Sequence, residues 1–133
     1  MGISRYKPVG WRGESHRHYL AAKGIPSVNW KRYSGKWRQA SVKNEPWFQR
    51  GCENVEARYT PSGKDSIKVI NTCERDGKKR KVEGTARVTG KNTLAVSFGF
   101  GLPGKYEVLD VNDDYTKATV RGGKTIWKLE RPR

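Results

Sequence analysis

The chain has 133 residues, a length that favours one compact domain, and its hydrophobic fraction of 34% is sufficient for a modest core. No apolar run comes near the ~18 consecutive residues that cross a bilayer, so the sequence excludes a transmembrane helix. Lys and Arg number 28 against 13 Asp and Glu, and the formal charge of +15 directs attention to anionic partners: nucleic acid, an acidic membrane surface or an acidic ligand.

The N-terminal segment, residues 1–29, has no sustained hydrophobic period, and only residues 14–23 have the composition of a short helix. We therefore predict a weakly structured basic arm over 1–29, followed by one domain over 30–133. The segment lacks the apolar stretch of a secretory signal, so we expect an intracellular protein unless a native signal has been removed. His16 and His18 are two residues apart, a spacing that suits neither a metal site nor a catalytic triad, and we expect them to be solvated.

After residue 30 the hydrophobic pattern takes a period of two, which is typical of strands with one buried face. Val55, Ala57 and Tyr59, for example, alternate with polar residues. Turn-forming residues separate the strand-like runs, which lie at 35–42, 53–59, 66–73, 81–88, 93–98, 105–111, 117–121 and 125–130. Because each run follows its predecessor without a long crossover, we predict an all-β fold, an eight-stranded antiparallel up-and-down β-barrel.

Three short motifs resemble those of the lipocalin family, in particular its bacterial lipocalin and apolipoprotein D-like branch. Gly35 and Trp37 form a Gly-x-Trp motif at the start of the first strand, Tyr115 ends an Asp-Asp-Tyr turn, and Arg131 follows the last strand. The segment 48–52 leads into the second strand as it does in that branch. The resemblance implies that Trp37 lies across a closed end of the barrel with the Arg131 guanidinium over its ring, and that these four residues have a structural role.

The chain also departs from the family pattern. Arg38 and Gln39 stand where relatives usually have Tyr-Glu, and the sequence ends before the C-terminal helix of relatives. We expect the basic arm to cover the flank that this helix would otherwise cover, through its apolar residues Trp11, Tyr19, Leu20 and Trp30.

Two cysteines, Cys52 and Cys73, allow a single disulfide bond. A hairpin turn centred between residues 62 and 63 would place them opposite each other. The alternation that turns Tyr59, Val69 and Asn71 inward needs a one-residue offset, so both conditions hold only with a bulge near the strand ends. A disulfide and two reduced thiols stay open as alternatives.

The alternation also selects the side chains that face the barrel interior. A small apolar ligand requires aromatic walls with a few polar groups, and the inward positions provide them. Trp47 and Phe48 stand in the first connecting loop, where they form a lid over the open end or a lip that touches a membrane, or simply pack within the loop. The predicted interior residues are Tyr59, Val69, Asn71, Phe98, Phe100, Tyr106 and Trp127. The alternative is a barrel that these side chains fill completely.

The resemblance implies a protein that binds or transports a small hydrophobic or amphipathic ligand, such as a fatty acid or lysophospholipid. We expect no enzyme, because no nucleophile and base can be paired, and Asp110, Asp113 and Asp114 are explained by turn formation. We expect no cofactor and no metal. The alternative is a filled barrel whose basic surface binds an anionic membrane or, as a lower-ranked partner, nucleic acid. The basic hairpin tip at 75–81 could attract phosphates or anionic head groups, but we favour a solvated turn there, because it lacks interleaved aromatic residues.

Overall fold

The computed structural model describes residues 27–99 and 104–132. This part of the chain forms a short helix and eight strands, which confirms the predicted all-β fold. The helix is α1 (Trp30–Tyr33), and the strands are β1 (Gly35–Lys43), β2 (Glu53–Gly63), β3 (Ser66–Arg75), β4 (Lys78–Val88), β5 (Thr93–Ser97), β6 (Gly104–Val111), β7 (Lys117–Gly122) and β8 (Thr125–Glu130). The predicted arm up to residue 26, including His16 and His18, lies outside the described residues, as does Phe100.

The strands pair in chain order, each antiparallel to the next, and β8 returns to β1 to close the barrel. Arg38 lies opposite Glu130 in that closing pair, and a bulge between Gln39 and Ser41 shifts the register above it. The side chains of Arg38 and Glu130 form an ion pair across the seam. Within the described ranges, no helix has the length and apolarity needed to cross a bilayer.

The hairpin between β2 and β3 corrects one prediction. Gly63 pairs with Ser66, so the turn is centred between Lys64 and Asp65 and not between residues 62 and 63. Asp65 takes a φ of +57°, which Asp tolerates better than most residues and which makes a two-residue turn accessible here. Register shifts at both ends of β2 supply the predicted bulge. Tyr59 and Val69 therefore pair on the inner face, and Cys52 and Cys73 still form a disulfide with Cα atoms 5.5 Å apart.

One end of the barrel is closed by α1 and the segment after β8. The Asn29 side chain caps α1 by accepting a hydrogen bond from Arg32 N at 3.1 Å. The helix ends on Tyr33, whose carbonyl accepts a hydrogen bond from Trp37 Nε1 at 2.8 Å. Trp37 is fully buried on the inner face of β1, with the Arg131 guanidinium 3.8 Å from its ring centroid. Because the indole is buried and the guanidinium only partly so, this cation–π contact contributes about 1 kcal/mol.

The Arg131 guanidinium also ties together three separate segments. Nε donates to Tyr115 O at 2.9 Å, Nη1 to Lys36 O at 3.0 Å and Nη2 to Arg32 O at 2.8 Å. Gly35 permits this approach, because its φ is +104° and a Cβ there would lie 3.3 Å from Nη1. Tyr115 contributes its carbonyl from a φ of +56°. The motif residues that resemble those of lipocalins thus meet in one cluster at the closed end.

Candidate functional site

The barrel interior changes character from the closed end to the open end. Leu94, Ala118 and Val120 point inward in the lower part and are fully or almost fully buried. Higher up, Val82 lies on the face of β4 that also carries Gly84, the partner of buried Val69, yet it is 50% exposed. A sealed core therefore fills the lower barrel, and among the described residues the inner face above it is less buried; we call this upper interior the lumen.

Three tyrosine hydroxyls meet at the boundary between the core and the lumen. Tyr33 Oη lies 2.5 Å from Tyr106 Oη, and Tyr59 Oη donates to Tyr106 Oη at 3.1 Å. Tyr59 and Tyr106 approach from β2 and β6, and Tyr33 comes from α1. The Tyr33 ring packs on those of Trp37 and Tyr59, with centroid distances of 5.1 and 5.4 Å. We call these three tyrosines the phenolic floor of the lumen.

The phenolic floor is electrically neutral at physiological pH. Burial raises the pKa of Tyr59 to about 12 and raises the pKa values of Tyr33 and Tyr106 well above the usual value, because a desolvated phenolate is disfavoured. For Tyr33 and Tyr106 the neighbouring phenols add to this effect, since a second negative charge nearby would repel the first. Each hydroxyl therefore keeps its proton and can donate a hydrogen bond.

A chain of polar side chains lines another part of the interior. Trp127 Nε1 donates to Gln49 Oε1 at 3.1 Å, and Gln49 Nε2 donates to Gln39 Oε1 at 2.6 Å. Gln49 comes from the 3₁₀ turn Trp47–Gln49 in the loop between β1 and β2, and it is buried. The two hydrogen bonds attach this loop to side chains of β8 and β1. Trp127 packs beside Gly122, where a Cβ would lie 3.1 Å from the indole.

On the opposite wall, the Phe98 ring occupies space that Gly84 leaves free. A Cβ at position 84 would lie 2.6 Å from Phe98 Cδ1 and 2.5 Å from Ser97 O. Asn71 on β3 is half-buried and faces the interior between Ala57 and Val82, its partners on the two flanking strands. The walls therefore combine aromatic and aliphatic surface with amide and hydroxyl groups, a composition typical of small-molecule sites.

The open end carries two exposed aromatic side chains. Trp47 is 77% exposed and Phe48 is 59% exposed, and their rings pack edge to face with centroids 5.9 Å apart. Arg75 Nη2 donates to Phe48 O at 2.6 Å and approaches Cys52 Sγ at 3.4 Å. The Cys52–Cys73 disulfide adds a covalent tie between this loop and β3. We call Trp47 and Phe48, which are both exposed at the rim, the aromatic lip.

The structure brings most of the predicted interior residues together. Tyr59 and Tyr106 belong to the phenolic floor. Val69, which pairs with Tyr59, is part of the buried core. Asn71, Phe98 and Trp127 face the space above. Their role in binding stays a prediction.

The sequence analysis missed two residues of the site. Tyr33 precedes the Gly-x-Trp motif and lies outside the predicted strands, and its partner Tyr106 is 73 positions away. Gln49 lies within the segment 48–52 quoted above, but a single polar residue in a loop gives no sign that it is buried. The only signal for either residue was its position beside a motif.

An eight-stranded barrel plugged at one end has an interior that its own side chains fill or that holds one small ligand. A family profile described as a lipocalin-like domain matches residues 28–131. The chain therefore belongs to the lipocalin family.

Individual relatives agree with this assignment. "Putative lipocalin R877" of Acanthamoeba polyphaga mimivirus is 34% identical over 117 residues, covering 79% of this chain and 68% of the relative. "Outer membrane lipoprotein Blc" of Citrobacter freundii is 33% identical over 119 residues, covering 82% and 67%. Insecticyanin of the tobacco hornworm Manduca sexta has a similar fold, with a TM-score of 0.69 at 17% identity, covering 80% of this chain and 65% of insecticyanin.

Proposed function

We propose that this lipocalin binds and carries one small hydrophobic or amphipathic molecule in the lumen above the phenolic floor. The observation that carries the proposal is the change from a sealed lower core to a half-open upper interior, marked by the 50% exposure of inward-facing Val82. Val82 lies in the part of β4 that extends past its ladder with β5, and that ladder begins at Thr85, so this exposed inward face belongs to the rim of the barrel. Family membership supports the same function, because lipocalin barrels are built to hold a single small ligand.

The chemistry of the lumen favours a lipid-like ligand, such as a fatty acid or a lysophospholipid. Burial of each CH₂ contributes about 0.8 kcal/mol, so a ten-carbon tail gains roughly 8 kcal/mol before the entropic costs of binding. Phe98 and Trp127 offer rings against which such a tail can pack. The exposed basic residues 78–81 of the hairpin between β3 and β4 stand at the same end as the opening and would attract an acidic head group.

Binding is a better account of the lumen than catalysis. The polar groups identified there are phenols and amides that hydrogen-bond to one another. Burial keeps the phenols protonated, so none of the three acts as a general base near neutral pH. We propose that the chain acts without enzymatic activity and without a cofactor.

Displacement of the fluorescent probe N-phenylnaphthylamine by dodecanoic acid and by a lysophospholipid tests this function. A Val82→Trp variant fills the lumen from its half-open position and should weaken probe binding at least tenfold. Its matched control is Lys81→Trp, which adds the same ring at an adjacent, outward-facing position. A parent protein that binds no probe, or a Val82→Trp variant that binds as the parent does, would count against a hollow ligand-binding barrel.

A second function, docking to an anionic membrane surface, is favoured by the aromatic lip. Exposed Trp and Phe side chains insert at the membrane interface, and neighbouring Lys and Arg residues add about 1 kcal/mol each near an acidic surface. Trp47 and Phe48 stand beside Arg75 and the basic residues 78–81, so both elements occur at one rim.

Co-sedimentation with phosphatidylserine-containing vesicles tests this second function. We expect binding to the acidic vesicles but not to pure phosphatidylcholine vesicles, and a loss of at least fivefold in Trp47→Ser/Phe48→Ser. Competition by duplex DNA that removes the protein from vesicles, with equal DNA binding by the parent and the double variant, would instead favour a nucleic-acid partner. Such binding should also fall steeply between about 50 and 200 mM salt.

A further inference from the structure

The three hydroxyl groups of the phenolic floor have three O–H donors but form only two hydrogen bonds with one another. Each of the three tyrosines carries one O–H donor. Among the described residues, the hydrogen bonds recorded for these hydroxyls are the two that join them, Tyr33 with Tyr106 and Tyr59 to Tyr106. Two bonds use two of the three protons. One O–H donor therefore remains for a partner from outside the cluster.

Tyr59 donates to Tyr106, whereas either hydroxyl of the Tyr33–Tyr106 pair can be the donor. If Tyr106 donated to Tyr33, the spare proton would lie on Tyr33 in the core, where a buried O–H without an acceptor is costly. We therefore assign the donor role in this pair to Tyr33 and the spare proton to Tyr106. Tyr33 and Tyr59 are 1% and 5% exposed, and the rings of Trp30 and Trp37 also pack on Tyr33. Tyr106 is the half-buried member of the three. Because Tyr106 is the least buried of the three residues, we infer that a molecule in the lumen reaches its hydroxyl more readily than those of Tyr33 and Tyr59, which lie in the core.

The charge state of the surroundings selects the kind of acceptor that fits. The phenols are neutral, and the guanidinium of Arg131 already donates from all three nitrogens to backbone carbonyls. A carboxylate at this depth would lose its hydration and gain a single neutral donor, which is a poor exchange. A ketone, ester, ether or hydroxyl oxygen loses far less hydration free energy and satisfies the same proton.

We propose that the Tyr106 hydroxyl receives a neutral oxygen acceptor at the deep end of the ligand, so that the lumen selects apolar molecules whose leading end carries such an oxygen. This inference rests on the ligand-binding function proposed above and narrows its ligand class: among lipid-like molecules it favours those whose deep end carries a neutral oxygen over plain fatty acids. It also specifies orientation: the neutral oxygen points down to the phenolic floor, and any charged group stays at the basic rim.

Three ligands of matched length test the proposal by displacement of N-phenylnaphthylamine: undecane, methyl nonyl ketone and undecanoic acid at neutral pH. For the parent we expect the ketone to bind about five- to tenfold more tightly than the alkane, the gain of one hydrogen bond in a buried site. Tyr106→Phe should abolish this preference while still binding the alkane. Tyr33→Phe should keep it, because Tyr59 still donates to Tyr106 and leaves the Tyr106 proton free.

One further measurement makes the result specific. The infrared carbonyl band of the bound ketone should shift to lower frequency in the parent and in Tyr33→Phe, but not in Tyr106→Phe. Tyr33→Phe is the matched control, because it removes a phenol of the same cluster and leaves the Tyr106 proton free.

Equal binding of ketone and alkane by the parent, or a preference that survives in Tyr106→Phe, overturns the assignment to Tyr106. If the parent binds undecanoate more tightly than the ketone, and Tyr106→Phe loses that preference, then Tyr106 donates to a carboxylate. This result overturns the claim that its acceptor is a neutral oxygen. Failure of the probe and all three ligands to bind the parent defeats the proposed function itself, and is distinct from these results.

Discussion

The closed end and the open end of the barrel hold their side chains by different means. At the closed end, Trp37 and Arg131 bring α1, β1 and the segment after β8 together through a ring contact and three hydrogen bonds to carbonyls. At the open end, the loop between β1 and β2 is tied by the Cys52–Cys73 disulfide, by Arg75 and by buried Gln49. Its aromatic lip remains exposed.

This difference separates stability from access. Many contacts among buried groups stabilise the lower barrel, and a ligand that enters from above need not disturb them. In the upper barrel, the loop between β1 and β2 is held by the disulfide, Arg75 and Gln49. This loop can therefore move without unfolding the core. The phenolic floor is where the two regimes meet, since it closes the core from above and bounds the lumen from below.

The strongest test of this comparison truncates one tryptophan at each end. Trp37→Ala removes a fully buried indole and the ring beneath Arg131, and should lower the free energy of unfolding by about 3 to 5 kcal/mol. Trp47→Ala removes a ring that is 77% exposed and should change it by less than about 0.5 kcal/mol. Urea unfolding followed by circular dichroism measures both. Similar losses at the two ends would contradict the division.

Removal of the disulfide tests the strongest tie at the open end. The bond joins residues 21 positions apart, and a loop of that size corresponds to about 3 kcal/mol of chain entropy in the unfolded state. Cys52→Ala/Cys73→Ala should therefore destabilise the protein by about that amount in urea. The parent measured after reduction serves as the control and should match the double variant. If neither changes, the open end is held by its non-covalent contacts alone.

A substitution in the wall of the lumen should have a smaller effect. Gly84→Ala places a methyl group against Phe98 and Ser97 O, and overpacking of this kind costs about 1 to 3 kcal/mol. Gly104→Ala is the matched control, because a Cβ there meets nothing within 4 Å. Thermal unfolding and probe binding should both change for Gly84→Ala and stay near the parent values for Gly104→Ala. An unchanged Gly84→Ala would mean that Phe98 is free to leave this position.

The sequence was informative wherever a local pattern determines structure. Alternating hydrophobic residues and turn-forming pairs such as Asp76-Gly77 predicted the strands, and both members of that pair take the positive φ values, +55° and +75°, of a tight hairpin. The Gly-x-Trp motif and Arg131 could be assigned to one cluster through family resemblance. The sequence could not decide whether Cys52 and Cys73 form a disulfide, because their pairing depends on a bulge. A one-residue shift in register is not visible in the alternation of hydrophobic residues alone.

The functional site was less predictable because its key contacts join distant parts of the chain. Gln49 accepts a hydrogen bond from Trp127, 78 positions away in the sequence. Tyr33 is hydrogen-bonded to Tyr106, 73 positions away. Neither residue lies on a strand whose alternation would assign it a face. The exposure of Trp47 and Phe48 was equally hidden, since an apolar pair in a loop is also what a packed lid would contain. Tertiary contacts decide these cases, and local sequence does not encode them.

The dependence of stability on pH tests the phenolic floor where the two ends of the barrel meet. Burial raises the pKa of Tyr59 to about 12, although its hydrogen bond to Tyr106 offsets part of the rise. The unfolded chain loses this proton near pH 10, as a free tyrosine does, so the stabilisation is complete below about pH 10 and is lost as the pH rises towards 12. Between pH 10 and 11 this one group accounts for a loss of about 1 kcal/mol. Tyr59→Phe should therefore lose about 1 kcal/mol less than the parent over that interval, measured by urea unfolding at each pH. Parallel curves for the two proteins would show that Tyr59 titrates in the folded state as it does in the unfolded chain, and the floor would then be open to water.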